Sequence, residues 1–113
     1  MSRIPTEKLD RLVDRWESIQ LELNQGPNQA TYARLTKEFS NLDPIVATYR
    51  ELNRIAGEIT GLEELGDDPA TDKEMAAMAQ EERERLQDQF EALADRLRIQ
   101  LLPKDAADDG DAI

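Results

Sequence analysis

Apolar residues recur at intervals of three and four along most of the chain, a spacing that places side chains on one face of an α-helix. Four such series span residues 9–23, 32–42, 45–62 and 75–101. Runs of β-branched residues and alternation with a period of two, which indicate strands, are missing from the sequence. The pattern therefore predicts an all-α fold, with helices over about 5–24, 29–42, 44–65 and 70–102.

Each series defines the stripe that its helix is expected to bury. A fourth helix this long can bury its apolar face only against partners, and the third helix, joined to it by a short connection, is the natural antiparallel neighbour. The predicted architecture is an elongated helical bundle with a long antiparallel coiled-coil-like hairpin. We expect one domain over residues 1–102 and an acidic linker over 103–113. The stripe residues are Leu9, Leu12, Trp16, Ile19, Leu23, Tyr32, Leu35, Phe39, Leu42, Ile45, Tyr49, Leu52, Ala56, Ile59, Leu62, Met75, Ala79, Leu86, Phe90, Leu93, Leu97 and Leu101.

Helix-breaking residues mark the connections. Gly26 can take the left-handed conformation that ends a helix, Pro27 prevents continuation, and Asn28 can cap the second helix. Pro44 disfavours helical geometry at Asp43 and has no N–H for an upstream carbonyl. The sequence therefore predicts a sharp kink or break at this point, with a new helix capped by Asp43.

Two features of the predicted hairpin, the start of the fourth helix and a pair of glycines in the third, each allow two interpretations. Thr71 and Glu74 have the spacing of a capping box for the fourth helix, and Asp68, followed by proline, is a competing start. Gly57 and Gly61 lie one turn apart in the third helix. They allow close approach of another helix or mark a segment of low helix propensity, and the second interpretation is slightly favoured.

Composition narrows the classes of function. The 113 residues include 14 Lys and Arg against 25 Asp and Glu, a net charge of -11 that disfavours strong direct nucleic-acid binding. Histidine and cysteine are absent, so the commonest zinc ligands, thiol nucleophiles and general bases are missing. We predict a noncatalytic module with no catalytic residues, no cofactor and no metal. No apolar run is long enough for a membrane span or a signal peptide, which favours a soluble, cytoplasmic protein.

Two basic pairs with a spacing of one helical turn are the candidate interaction residues. Arg11 lies four residues before Arg15, and Arg50 lies four residues before Arg54. Like charges at this spacing weakly destabilise a helix, so the pairs could serve an interface. They could equally be balanced by surrounding carboxylates.

The closing stretch, LLPKDAADDGDAI, carries a resemblance. A long amphipathic helix that ends in this way resembles the N-terminal helical domain of the bacterial peptide chain release factor 1 family, class-I factors that terminate translation at UAA and UAG codons. Ala106 stands where the family often has proline, and the Gly-Gly-Gln of the family's hydrolysis-triggering loop is absent. The matching residues are Leu101, Leu102, Pro103, Lys104, Asp105, Asp108 and Asp109.

The resemblance implies that the protein acts in protein synthesis, on the ribosome. It implies a docking domain that contacts the ribosome near the GTPase-associated stalk base, lies before a downstream domain, and is a monomer or weak dimer. Arg11, Arg15, Arg50 and Arg54 are the residues expected to assist docking. The alternative is a free-standing coiled-coil interaction or structural protein that self-associates through exposed apolar stripes.

Overall fold

The structure is a computed structural model that describes residues 4–103. It contains three helices: α1 over Thr6–Asn24, α2 over Gln29–Asp67 and α3 over Lys73–Gln100. Residues 4–103 include no strand, so the predicted all-α class is confirmed. The chain divides into two compact units, a first unit of residues 4–49 and 97–103 and a second unit of residues 50–96.

The first unit is built on contacts between α1 and the first half of α2. Ile19, Leu35 and Leu42 form a buried cluster against which Leu12, Trp16, Leu23 and Phe39 pack. The rings of Trp16 and Phe39 stack, with centroids 5.9 Å apart and planes inclined by 17°. These are stripe residues of the two N-terminal series, so their periodicity identified the core of this unit.

The second unit pairs the end of α2 with the beginning of α3. Glu63 of α2 forms an ion pair with Arg83 of α3 at 3.6 Å, while Ile59 and Phe90 line one groove farther from the connection. Later residues of α2 therefore meet earlier residues of α3, which gives this unit the predicted antiparallel hairpin. Its buried apolar residues are Leu52, Ile55, Ala79, Leu86 and Ala94.

The predicted break at Pro44 is wrong, because α2 runs without interruption through this residue. Proline inside a helix costs about 3 kcal/mol. Leu42, Val46 and Tyr49 on either side of it are buried, and burial of each such side chain contributes about 1.5–3 kcal/mol. Tertiary packing therefore outweighs the cost of the proline, and the second and third predicted helices are one.

The helix ends agree with the sequence at the first connection and differ at the second. Gly26 has a φ of +70°, as expected for the residue that ends α1, and the Asn28 side chain accepts a hydrogen bond from the Thr31 N–H at 2.8 Å. At α3 the cap is Asp72, whose Oδ1 accepts from the Met75 N–H at 2.8 Å. Thr71 is therefore not the cap of this helix.

The stripe residues differ from the observed core at a few positions. Tyr32 and Met75 are exposed although they were expected to be buried, while Val46, Ile55 and Ala94 are buried outside the predicted stripes. Val46 follows Leu42 by four residues and Ile55 follows Leu52 by three, so each shares a helix face with a buried stripe residue. Tyr32 lies in the first turn of α2 and Met75 in the first turn of α3, and both are exposed at these helix ends.

The glycines of α2 lie in open space. A Cβ atom added to Gly57 or Gly61 would have no described neighbour within 4 Å outside the local helix. The close-approach interpretation of this pair is therefore wrong for residues 4–103, and the interpretation as a segment of low helix propensity is retained.

Candidate functional site

The basic pair on α1 is drawn into the first unit. Arg15 donates two hydrogen bonds to the Glu38 carboxylate of α2, from Nε at 2.7 Å and from Nη2 at 2.8 Å, and Nη1 lies 3.5 Å from Glu22. These bonds from Arg15 lower the pKa of Glu38 and raise that of Arg15. Arg15 therefore joins two helices, while Arg11 one turn earlier is exposed.

The basic pair on α2 belongs to the second unit. Arg54 donates to Glu51 through Nε at 3.0 Å and also bonds Glu58, both on the same helix. The hydrogen bond to Glu51 is the main cause that raises the pKa of Arg54 and lowers that of Glu51. Arg54 is thus neutralised locally, as the alternative interpretation of the basic pairs allowed. Arg50 is exposed at the beginning of this unit.

The two basic pairs are not assembled into one cationic site within either unit. Arg11 and Arg15 lie in the first unit, whereas Arg50 and Arg54 lie in the second. The guanidinium groups of Arg15 and Arg54 already bind carboxylates. An anionic partner that binds Arg15 or Arg54 must therefore displace these carboxylates.

The end of the α2–α3 hairpin is strongly acidic. Residues 62–82 contain eight carboxylate side chains and one basic residue, Lys73. All eight lie at exposed or half-buried positions. This short segment therefore concentrates much of the negative charge of the chain. The carboxylates are Glu63, Glu64, Asp67, Asp68, Asp72, Glu74, Glu81 and Glu82.

An apolar groove lies within this acidic segment. The groove has a volume of about 590 Å³, and its apolar lining comes from Leu62, Leu65, Met75, Met78 and Ala79. Of these, Leu65, Met75 and Met78 are 37%, 46% and 63% exposed, which is unusual for large apolar side chains clustered at one place. We call this surface, with its rim of Glu81, Glu82 and Arg85, the tip groove.

The rim of the tip groove is held by an ion pair on α3. Arg85 donates through Nε to Glu82 at 3.0 Å, and this bond lowers the pKa of Glu82 and raises that of Arg85. Because Arg85 is engaged in this way, the rim offers carboxylate charge, most directly from Glu81.

A second, polar groove lies between the same two helices. Its lining includes Glu63, Asp67, Gln80 and Arg83, and the ion pair between Glu63 and Arg83 lies within it. The two grooves share Leu62, but the large apolar residues Leu65, Met75 and Met78 line only the tip groove of the two.

Sequence reasoning placed Met75 in the core and gave no role to Leu65 or Met78. The available signal was the charge pattern, because residues 62–82 combine eight carboxylates and a single lysine with several large apolar residues close to the helix ends. What the sequence could not supply was which apolar residues remain uncovered where the hairpin ends.

The described residues offer neither a metal site nor a membrane-spanning helix. Within residues 4–103, no group of three or more carboxylates is placed so that it could hold a metal ion. No helix in this part of the chain combines the length and the apolar composition needed to cross a membrane.

Comparison with known proteins defines the class of the chain. The PCRF domain family matches residues 12–113, so the chain belongs to this family. Among curated proteins, it is 42% identical over all 113 residues to peptide chain release factor 1 of Bartonella tribocorum and 40% identical to that of Bartonella quintana. It spans 32% of the length of each relative. No solved structure matches the chain.

The resemblance to release factors that the sequence predicted is confirmed by these matches. Only Leu101, Leu102 and Pro103 of the closing motif lie within the described residues. The remainder of that motif, and with it most of the predicted linker over 103–113, falls outside them.

Proposed function

We propose that this chain is the N-terminal helical domain of a peptide chain release factor 1 that terminates translation at UAA and UAG codons in the cytoplasm. The domain itself is noncatalytic and docks on the ribosome near the GTPase-associated stalk base. The codon-reading and Gly-Gly-Gln parts of the factor belong to other domains in this proposal.

One observation carries the proposal. Two proteins called peptide chain release factor 1 match the chain at 40% and 42% identity over its whole length, although it spans only about a third of each. A match that is complete on one side and partial on the other is what a single domain of a longer factor produces. The all-α fold, with ion pairs and exposed grooves instead of an enclosed polar cavity in the described residues, supports a binding role.

The basic pairs provide a test of ribosome docking. We expect the chain to sediment with ribosomes and Arg50→Glu with Arg54→Glu to weaken this binding several-fold, about 1 kcal/mol, because cations near a phosphate-rich surface assist association. The double variant Arg34→Glu with Lys37→Glu is the matched control. Both residues are exposed, and their substitution changes the net charge by the same amount elsewhere on α2. Equal binding by both double variants would remove the basic pair from the proposal, and no binding by the unaltered chain would contradict docking by the isolated domain.

Self-association is the second candidate, and the exposed residues of the tip groove favour it. Two copies that meet at this surface would also bring together their acidic segments, which opposes a tight dimer at moderate salt. Sedimentation velocity distinguishes the two cases. A monomer or weak dimer agrees with the proposed domain, whereas a stable dimer that persists at low concentration supports the coiled-coil alternative.

A further inference from the structure

We propose that the tip groove binds a lysine- or arginine-rich amphipathic segment of a partner protein. This inference deepens the proposed docking function and rests on it: the partner would be a basic protein of the docking site, and the contact would be with protein instead of nucleic acid. Two features of the groove specify this occupant, its exposed apolar side chains and the sign of the charge around them.

The apolar side chains supply the anchoring surface. Met75 and Met78 are the most exposed large apolar residues of the groove, and the flexible thioether side chain adapts to different apolar shapes. Leu62 and Leu65 of α2 provide the opposite wall. A groove formed by two helices in this way accepts one apolar face of a third helix, which places side chains at intervals of three and four in it.

The charge around the groove selects the partner. Glu81 and Glu82 line the groove itself, and the same stretch of residues 62–82 holds six more carboxylates, of which Glu63 and Asp67 line the neighbouring polar groove. Phosphate groups of RNA would approach this surface against electrostatic repulsion, whereas lysine and arginine side chains would be attracted to it. A basic segment with apolar anchors therefore satisfies both parts of the surface, and RNA satisfies neither.

A second copy of the chain is a poorer occupant. The tip groove of another copy has the same excess of carboxylates, so a symmetric contact would place like charges opposite each other. Arg85 is the basic residue that lines the groove, and it already bonds Glu82.

The experiment uses the 113-residue chain and a synthetic helical peptide of about 18 residues. The peptide carries leucines at intervals of three and four and lysines elsewhere, and a scrambled peptide of identical composition is the control. Binding is measured by calorimetry, and backbone amide NMR shifts locate it. We expect the ordered peptide to bind more tightly than the scrambled one and to shift amides of residues 62–85, with affinity falling as salt is raised toward about 0.15 M.

Two pairs of variants test the two parts of the surface. Met75→Ser with Met78→Ser should weaken binding about tenfold, because it removes the exposed apolar anchors. Leu21→Ser is its control, since Leu21 is an exposed leucine of α1 in the first unit. Glu81→Lys should weaken binding several-fold, whereas Asp14→Lys, an equal charge change at an exposed position of α1, should have little effect.

Several results would overturn the inference. The ordered and scrambled peptides could bind with equal affinity, or the amide NMR shifts could spread over all acidic helix surfaces. The methionine variant could bind the peptide as tightly as the unaltered chain while its circular dichroism spectrum is unchanged. A short RNA duplex could bind more tightly than the peptide. Ribosome sedimentation separates this inference from the proposed function. If the chain and its methionine variant bind ribosomes equally well, the role of the tip groove is contradicted and ribosome docking stands. If the ordered peptide binds the groove but the chain does not bind ribosomes, ribosome docking is contradicted.

Discussion

At the scale of single residues, polar side-chain pairs attach α1 to α2. Each donor bonds a carboxylate on the other helix, and this bond satisfies the donor's polar group where the two helices meet. None of these pairs follows from the hydrophobic stripe, because hydrogen-bond partners across helices depend on the rotation of both helices. The pairs are Arg15 with Glu38, Trp16 with Asp43 at 3.0 Å, and Tyr49 with Asp10 at 2.9 Å.

The pair of Arg15 and Glu38 predicts a dependence of stability on pH. Arg15 lowers the pKa of Glu38 in the folded chain. The pair's contribution is therefore present above the carboxyl's ordinary pKa of 4.5 and is lost as pH falls through the lower folded value. Glu38→Gln should reduce the free energy of unfolding near pH 7 by less than about 1 kcal/mol, since both side chains are more than a third exposed.

Urea denaturation across acidic and neutral pH checks this prediction. The difference between Glu38→Gln and the unaltered chain should shrink as pH falls below about 4, and Glu64→Gln, at an exposed position of α2, should show no such difference. A difference that stays constant from neutral to acidic pH would show that the carboxylate's charge is not what matters.

At the scale of elements, most of the helical content was predictable, and the division into helices was not. Spacings of three and four identified Leu9, Ile19 and Leu35 as buried residues of α1 and α2 because amphipathic helices hide one face. Pro44 was expected to interrupt a helix because local geometry disfavours it there. Packing of residues distant along the chain overrides a local preference, and such packing is not visible in a linear pattern.

The continuity of α2 predicts that proline 44 weakens the helix it occupies. Pro44→Ala restores an N–H donor to the helix and removes the clash of the ring with the preceding turn. After allowance for the greater freedom of the unfolded chain, we expect the free energy of unfolding to rise by about 1–2 kcal/mol. Urea denaturation followed by circular dichroism measures the change.

Pro27→Ala is the matched control for this substitution. Pro27 lies in the connection between α1 and α2, where proline fits the backbone, so its replacement should leave stability unchanged or lower it by a few tenths of a kcal/mol. A loss of stability in Pro44→Ala would mean that the proline is required by the local packing around Val46 and Tyr49.

At the scale of the whole molecule, charge and apolar exposure coincide at one place in the second unit. The sequence revealed the excess of carboxylates, and the resemblance of its closing motif revealed the family, but the candidate surface itself was missed. Leu65, Met75 and Met78 form one surface where α2 ends and α3 begins, next to the cap that Asp72 provides for α3. The basic pairs were visible in the sequence, whereas the carboxylates that occupy Arg15 and Arg54 required the folded chain.

A chimeric release factor tests the central claim most directly. In peptide chain release factor 1 of Bartonella tribocorum, the part that aligns with this chain is replaced by the 113 residues, and peptide release from ribosomes stopped at UAA or UAG is compared with that of the same factor lacking the part. If the chain is the corresponding domain, the chimera recovers the apparent affinity for ribosomes that the truncated factor loses. A folded chimera that performs no better than the truncated factor would contradict the assignment.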